Sequence, residues 1–333
     1  MKRQDKNQYF TRRNFLRGSV AAMAVPVGMQ TLTSCAAAQQ QPPDGAEKLT
    51  VYHEAEIGGR VRGPQLWLRW DNEVLTSYRA HQTQKYPYFY PLIGPVSGQS
   101  LTAETALPWP HQRSLFFSCD RLNRANYWQQ GLEHGQVKST GPKVEAISDS
   151  AARIHDNTEW AAQDNEVQMT DERTFNIKVE DRRLWTIDAQ IKWSAVQDVE
   201  VTKTNHGLFS IRCAPDISPW GGGNLVSSEG KTGEEATFGE AARWCAFYGK
   251  RTRAKDEPIE GIALFDHPEN PWNPCPWFTR DYGFISPMPF QWITAPWRLP
   301  AGQSVNLKYK VLVFAGTPEE IDLAGRYSEW TSA

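Results

Sequence analysis

Two long stretches of the sequence alternate between apolar and polar residues, and this pattern constrains the fold more than any other feature. In residues 183–193 the odd-numbered positions are mostly apolar and the even-numbered positions are polar, and residues 305–315 repeat the pattern. A period of two residues predicts strands with one buried face. Weaker strand patterns occur in residues 49–57, 65–70, 74–80, 174–179, 199–204, 208–213 and 261–265.

One helix is predicted, at the C-terminal end of the chain. Thr317 is placed to cap it, Pro318 suits its first turn, and Glu320 completes a capping box. Many strands with few helices indicate an antiparallel sandwich or barrel. Because no linker divides the chain after residue 47, we predict an all-β fold for residues 48–333. This fold is a single large antiparallel two-sheet sandwich with a short C-terminal helix.

The N-terminal residues have the features of an export signal. Residues 11–17 (TRRNFLR) contain a twin-arginine pair, and the apolar run in residues 20–29 is too short to span a bilayer. Residues 32–35 (LTSC) resemble a lipobox, in which Cys35 is acylated and becomes the mature N-terminus. The alternative is a cleaved signal with an incidental cysteine. We predict a twin-arginine lipoprotein signal in residues 1–35.

The composition of the chain indicates where the protein is located and which classes of partner it can bind. Residues 36–47 (AAAQQQPPDGAE) predict a flexible tether, so we expect a protein of the periplasm or cell surface that meets the membrane only through its lipid. Residues 1–35 carry six basic residues and one acidic residue, so the whole-chain totals of 36 and 38 leave an excess of seven acidic residues in the remainder. An acidic domain argues against nucleic acid as a partner, because phosphate binding needs a basic face.

The spacing of cysteines and histidines gives no metal or redox motif. Four cysteines follow residue 35, and no two of them form a CxxC pair. Twin-arginine export moves proteins that have already folded in a reducing cytoplasm, so folding is not expected to need disulfides. The seven histidines are scattered without HxH or HxxxH spacing, so no cofactor is predicted, although a metal site assembled from distant residues stays open.

The stretch from Asp266 to Tyr282 (DHPENPWNPCPWFTRDY) concentrates groups suited to binding and catalysis. Its four prolines forbid a helix and exclude a central strand, because each proline fixes φ and removes a backbone donor. The stretch is therefore predicted to be a stiff loop that lays His267, Arg280 and Tyr282 against aromatic rings, as binding loops on a scaffold do. The alternative is a proline-rich crossover that covers the end of a sheet.

A second polar and aromatic region comes earlier in the chain. In residues 85–92 (KYPYFYPL) two prolines bracket three aromatic residues, which predicts a rigid edge. His111 and Arg113 are two residues apart, so in an extended segment their side chains project to the same side. Alone, His111 would be interpreted as a hydrogen-bonded turn histidine. Beside Arg113 and opposite the 266–282 stretch, it becomes a candidate for catalysis. Asn205 lies in a later predicted turn.

Four motifs occur in the order KxPYFYPLxGP, WPHQR, NYW and DHPxNP…PWxxRxYG, and they resemble those of the PmoA-like family of exported proteins. The resemblance covers nearly all of the chain after the tether. Relatives often have a glycine where this chain has Ser114, which questions how tightly the chain turns there. The matching positions are Lys85, Pro87, Tyr88, Pro91, His111, Arg113, Trp128, Asp266, His267, Pro268, Arg280, Tyr282 and Gly283.

The resemblance implies a role in carbohydrate use and a two-sheet sandwich akin to those of sugar mutarotases and some polysaccharide lyases. The family's label, methane oxygenase, does not suit this chain. Membrane methane monooxygenase is an integral copper protein, whereas this chain has neither an apolar segment of spanning length after its signal nor a dense group of histidines.

The candidate residues are mostly cationic although the protein is acidic, which favours an anionic substrate such as a uronate-containing oligosaccharide. On a uronate, such residues suit β-elimination, as a dehydratase or a lyase. An arginine neutralises the carboxylate, a neutral histidine takes the proton, and a tyrosine protonates the leaving oxygen. The predicted catalytic residues are His111, His267, Tyr282 and Arg280. The predicted substrate-binding residues are Lys85, Tyr88, Arg113, Trp128, Asn205, Asp266 and Trp277.

Two other functions stay open. A glycoside hydrolase needs two converging carboxylates. The candidates for them are Asp266, Glu269, Asp281, Glu240 and Glu133. A non-catalytic sugar-binding lipoprotein would instead stack sugar rings on aromatic side chains. The candidates for this stacking are Tyr88, Trp128, Trp272 and Trp277.

Overall fold

The computed structural model describes residues 48–53, 65–129 and 131–332, so the predicted export signal, Cys35 and the tether lie outside the described residues. In chain order the strands are β1 (Leu49–His53), β2 (Gln65–Trp70), β3 (Glu73–Arg79), β4 (Tyr88–Leu92), β5 (Leu115–Leu122), β6 (Ala125–Asn126), β7 (Gln136–Ser139), β8 (Lys143–Ser148), β9 (Ala151–Ala161), β10 (Val167–Asp181), β11 (Leu184–Ala195), β12 (Val199–Val201), β13 (Gly207–Arg212), β14 (Asn224–Ser227), β15 (Trp244–Lys250), β16 (Ile259–Asp266), β17 (Trp277–Arg280), β18 (Phe284–Pro287), β19 (Trp297–Leu299) and β20 (Ser304–Ala315). The helices are α1 (Gly233–Thr237) and α2 (Leu323–Ser332), with short 3-10 turns at Leu132–His134, Pro215–Ile217 and Pro219–Gly221.

The strands form two antiparallel sheets. The eleven-stranded sheet runs β1-β2-β3-β4-β5-β13-β18-β17, with β6, β12 and β19 attached beside β5. The nine-stranded sheet runs β14-β15-β16-β20-β11-β10-β9-β7, and β8 also pairs with β9. Every pairing recorded between these strands is antiparallel. The prediction of an all-β two-sheet sandwich with a short C-terminal helix is confirmed.

The main core lies between the two sheets. Phe209 of β13 stacks on Tyr309 of β20, with ring centroids 4.8 Å apart, and so joins the inner faces. Along β11 the residues Trp185, Ile187 and Ala189 are buried, as the alternation predicts. The free energy gained from removing these apolar faces from water holds the sheets together. The described residues belong to one compact unit.

Each sheet also has an outer face, because successive residues of a strand point to opposite sides. On the eleven-stranded sheet Phe209 points inward, so Arg212 of the same strand points outward, next to Phe284 of β18. On the nine-stranded sheet Phe265 and Leu312 point outward into a second apolar cluster that α2 covers. One outer face is therefore closed by a helix, and the other carries polar side chains.

Two sequence predictions need correction. The loop predicted for 266–282 is shorter: β16 ends at Asp266, and Trp277 begins β17, an edge strand. The last proline of the stretch precedes Trp277, so β17 keeps its backbone donors. The capping box is present, since the Thr317 N–H donates to Glu320 Oε2 over 2.9 Å, but the regular helix α2 begins only at Leu323.

The remaining global features concern cysteines and membranes. The four described cysteines are buried and free, namely Cys119, Cys213, Cys245 and Cys275. Burial raises the pKa of each of these thiols. None of the helices in the described part of the chain is long and apolar enough to cross a membrane.

Candidate functional site

An aspartate–histidine pair lies at the outer face of the eleven-stranded sheet. Asp120 is near the end of β5, and His206 stands just before β13, which pairs with β5. His206 Nδ1 lies 2.8 Å from Asp120 Oδ2, and the hydroxyl of Thr204 donates to the other carboxylate oxygen. Because a carboxylate only accepts hydrogen bonds, this contact places a proton on Nδ1 and leaves Nε2 as the second ring nitrogen.

A fully buried tryptophan forms the floor under His206. The rings of Trp128 and His206 are stacked, with centroids 5.4 Å apart and planes inclined by 26°. The backbone N–H of Trp128 donates to the Asn126 side chain over 2.9 Å, which turns the chain back over the sheet after β6. Phe116 packs against Trp128 at 4.7 Å from below. The sheet therefore fixes the orientation of His206 by packing as well as by hydrogen bonding.

His111 completes a pair of imidazoles. Its ring centroid lies 6.0 Å from that of His206, at an interplanar angle of 85°. Burial, followed by the charges of His206 and Arg212, lowers the pKa of His111 to about 4. Its Nε2 atom is enclosed and has no hydrogen-bond partner. His111 is therefore uncharged at neutral pH.

A buried arginine and a tyrosine adjoin the histidines. Gln112 connects them, because its Oε1 accepts a 3.1 Å hydrogen bond from Arg212 Nη1 and its Nε2 donates to the Tyr282 hydroxyl over 3.1 Å. The Arg212 guanidinium lies 4.4 Å from the centroid of the Tyr282 ring. Burial lowers the pKa of Arg212 and raises that of Tyr282. We call Asp120, His206, His111, Arg212 and Tyr282 the histidine cluster.

Arg280 approaches this cluster from β17. Its guanidinium lies 4.2 Å from the Phe238 ring centroid and 4.1 Å from that of Phe278, and Nη1 donates to Glu234 Oε1 over 2.9 Å. Burial raises the pKa of Tyr282, and the hydrogen bond from Gln112 and the charges of Arg212 and Arg280 offset only part of that rise. The structure thus brings three of the four predicted catalytic residues, His111, Tyr282 and Arg280, to one outer face.

Two exposed tryptophans flank the histidine cluster. Trp109, 46 % exposed, lies with its ring centroid 6.0 Å from that of His111. Trp220, 72 % exposed, lies 5.8 Å from Tyr282. Large exposed aromatic rings beside a polar group are typical of ligand sites, since they offer an apolar face at little entropic cost.

Three predicted site residues lie elsewhere. His267 is buried on the nine-stranded side, where its ring centroid is 4.7 Å from that of Trp330 in α2. Asp266 is buried and accepts a hydrogen bond from Asn270 over 2.7 Å; burial raises its pKa to about 6. Trp277 is fully buried, so it cannot stack on a sugar. The 266–282 stretch connects the two sheets, so its ends do not meet in one site.

Other predicted binding residues lie beneath the surface near the cluster. Lys85 is buried, donates to the Gly131 carbonyl and has its pKa lowered to about 8 by burial. Tyr88 is covered by Arg113, whose guanidinium lies 5.6 Å from its ring centroid. Trp128 is equally inaccessible under His206. Asn205 is half-buried beside His206. Of this group, Arg113 and Asn205 keep the most exposure.

Other candidate sites lie apart from the cluster. A cavity of about 510 Å³ opens between the hairpin turns of β2–β3 and β10–β11, and its lining includes Trp70, Trp185 and Arg182 but none of the predicted site residues. Among the described residues, no group of three or more His, Cys, Asp or Glu side chains is arranged to hold a metal ion. The histidine cluster is therefore the place where predicted residues and accessible aromatic rings coincide.

Comparison with known proteins identifies a family. A family model described as "Family of unknown function (DUF6807)" matches residues 65–328. The chain belongs to the DUF6807 family. No curated protein matches the sequence at a significant level. The resemblance to PmoA-like proteins stays a prediction.

The chain is also similar to solved structures. One is the galactose mutarotase related enzyme from Lactobacillus acidophilus, with 7 % identity and a TM-score of 0.29, covering 80 % of this chain and 98 % of that chain. A likeness at this level carries no argument about the site of this DUF6807 protein.

Sequence reasoning missed several members of the cluster in this DUF6807 chain. Asp120 lies inside an apolar strand, His206 follows the predicted Asn205, and Arg212 ends a strand. Their convergence depends on the pairing of β5 with β13, which no local pattern reveals. Ser114 adopts φ 51°, and its hydroxyl donates to the Thr102 hydroxyl over 2.8 Å, so the tight turn forms with a serine side chain.

Proposed function

We propose that the protein is an exported carbohydrate-active enzyme that acts on an acidic, uronate-containing oligosaccharide by β-elimination. The observation that carries this proposal is the Asp120–His206 pair, 2.8 Å apart, beside the uncharged His111. The exposed rings of Trp109 and Trp220 on either side supply apolar faces for sugar rings. Proton transfer between carbon and imidazole suits such a pair.

His206 is the proton acceptor in this proposal. The Asp120 carboxylate holds the ring in one tautomer and stabilises the imidazolium that forms when Nε2 takes a proton. His111, with a pKa of about 4, is the weaker base, and its neutrality avoids a second positive charge next to that imidazolium. This assignment moves the base from His111, which the sequence favoured, to its neighbour.

Tyr282 and Arg280 complete the reaction. The Tyr282 hydroxyl accepts a hydrogen bond from Gln112, so its own proton is free for donation to the leaving oxygen. Arg280 neutralises the substrate carboxylate with the guanidinium edge that Glu234 does not occupy. The electrons of the broken C–H bond form a carbon–carbon double bond as the C–O bond breaks. The products are an unsaturated uronate and either an alcohol or water.

The carboxylates near the cluster favour elimination over hydrolysis. Asp120 is engaged by Thr204 and His206, and Glu234 is engaged by Arg280 and by the backbone N–H of Asp281. A glycoside hydrolase needs one free carboxylic acid and one free carboxylate facing the same bond. Asp120 and Glu234 are already bonded to an imidazole, a guanidinium or a backbone amide. They are therefore poorly suited to act as the acid or as the free carboxylate of a hydrolase.

The test is an assay of the purified protein on oligogalacturonates, with neutral malto-oligosaccharides as the comparison. We expect an ultraviolet-absorbing unsaturated product from the acidic substrate, and a loss of rate on the order of a hundredfold or more for His206→Ala. New reducing ends without this absorbance would identify a hydrolase. A rise in melting temperature without any product would identify a sugar-binding protein, for which Trp109 and Trp220 are sufficient.

A further inference from the structure

The turn between β5 and β6 holds an arginine in a conformation that suits glycine. Leu122 pairs with Ala125 across a two-residue turn, in which Asn123 has φ 46° and Arg124 has φ 67°. Two left-handed residues in succession define a type I′ hairpin turn, and Asn-Gly is its preferred sequence. Asn123 fits this preference. Arg124 does not, because residues other than glycine, asparagine and aspartate rarely adopt the left-handed region.

The Arg124 side chain has no structural partner that would explain its presence. It is exposed, and it makes no ion pair or hydrogen bond with the residues that the structure describes. Arg124 lines two grooves on either side of the hairpin, of about 640 Å³ and 480 Å³. A local rule broken without a structural gain is expected where a residue serves binding.

A second arginine lies beside it at another irregular position. Arg121 has φ 53° and sits where the register of β5 and β6 shifts, which is a β-bulge. Its Nη1 donates to the carbonyl of Lys203, in the turn that leads to His206. Bulges next to active sites often redirect a side chain, and this one sends a cation towards the groove shared with Arg124.

The hairpin is continuous with the histidine cluster. Asp120, which holds His206, immediately precedes the bulge on β5, and Trp128, on which His206 stacks, follows β6. The turn at Arg124 thus separates the two residues that orient His206. A chain-like ligand that leaves the cluster along this side passes the two arginines.

We infer that Arg124, assisted by Arg121, binds the acid group of the sugar unit next to the one at His206. The substrate is then an anionic oligomer with at least two acid groups, rather than a single acidic sugar. This inference rests on the proposed function. A guanidinium binds a carboxylate or sulfate by paired, charge-assisted hydrogen bonds, and an exposed site of this kind weakens as salt rises.

The experiment uses Arg124→Gly, which removes the cation but restores the preferred Asn-Gly turn. We expect an unchanged or higher melting temperature, because glycine relieves the left-handed strain. Binding of tetragalacturonate is expected to weaken by roughly five- to tenfold at low salt, and the difference should shrink at high salt. Binding of galacturonate monomer and of neutral maltotetraose should be unchanged.

Two further variants serve as controls. Arg124→Lys keeps the charge but cannot form the paired hydrogen bonds, so its affinity should lie between those of the parent protein and Arg124→Gly. Arg253→Gln removes a positive charge from an exposed turn elsewhere and should have no effect. Equal tetragalacturonate affinity of Arg124→Gly and the parent protein would overturn this inference. The proposed function would survive that result if His206→Ala still abolished turnover. An absence of both turnover and binding would overturn both.

Discussion

Each outer face of the sandwich carries a histidine, a tryptophan and an aspartate, but the three side chains are connected differently. On the eleven-stranded sheet, His206 stacks on Trp128 and bonds to Asp120 through Nδ1. The carboxylate therefore hydrogen-bonds to the imidazole, and the indole nitrogen of Trp128 is buried without a partner. The ring is oriented from below and from one side, with its second nitrogen left for other chemistry.

On the nine-stranded sheet the aspartate instead hydrogen-bonds to the tryptophan. Trp330 Nε1 donates to Asp188 Oδ2 over 2.6 Å, and this bond fastens α2 to β11. His267 meets Trp330 edge-on at 88°, and its Nδ1 accepts the backbone N–H of Glu269 over 3.2 Å. Both contacts are typical of a histidine that closes a turn. Burial, followed by the charge of Lys308, lowers its pKa.

Under the proposed function, residue type alone does not separate the reactive histidine, His206, from the structural one, His267. Two features separate them: which side chain the nearby carboxylate hydrogen-bonds to, and whether a helix covers the imidazole ring. A carboxylate bonded to an imidazole holds that ring in one tautomer, whereas a carboxylate bonded to the indole of a covering helix contributes to stability. The same substitution on the two faces should therefore affect different measurements.

The largest expected difference comes from replacing the two aspartates. Asp120→Asn should reduce turnover on the order of a hundredfold or more, because an amide in its place cannot stabilise the imidazolium and favours the wrong tautomer of His206. Asp188→Asn is the matched change on the other face and should leave turnover unchanged. The measurement is kcat/KM on oligogalacturonates with melting temperature in parallel. Equal losses of activity in both variants would remove the distinction between the two faces.

A smaller effect is expected at His267. His267→Ala removes a buried ring from Trp330 and an acceptor from the turn that follows β16. The free energy of unfolding should fall by about 1–2 kcal/mol, with kcat and KM unchanged. Urea denaturation and the same assay measure the two quantities. Loss of turnover with unchanged stability would return His267 to the catalytic residues that the sequence suggested.

The sequence contained most of the fold for a physical reason. A strand with one buried face must alternate, so β11 and β20 are visible in residues 183–193 and 305–315. Strands such as β5 are buried on both faces, so apolar and polar residues do not alternate regularly along LFFSCDRL and the period of two is hidden. The capping box was also local information, because Thr317 and Glu320 lie within four residues, but it did not give the start of the regular helix, which is Leu323.

The site was less predictable, because it depends on which strands become neighbours. His111, Tyr282 and Arg280 were found through motifs, and the structure brings them to one face. His267 shares a motif with Arg280, but the stretch between them crosses from one sheet to the other. Asp120 and His206 carry no local signal, since they meet only through the pairing of β5 with β13.

The smallest expected effect is a pH dependence that separates His111 from Asp266. The pKa of His111 falls from the ordinary 6.5 to about 4 on folding, so between these values the unfolded chain binds more protons and acid destabilises the protein. The pKa of Asp266 is raised from 3.8 to about 6, so protonation of Asp266 stabilises the folded protein over an overlapping pH range. This contribution is the same in the parent protein and in a His111 variant, so it cancels when the two are compared. His111→Gln should therefore lose less stability than the parent as pH falls from 6.5 to 4, by about 1 kcal/mol, since the partly exposed ring is screened by solvent. Urea denaturation across this range measures the difference. If the free energies of unfolding of the two proteins changed in parallel with pH, His111 would be as well solvated in the folded protein as in the unfolded chain. There would then be no reason to assign His111 as an uncharged neighbour of His206.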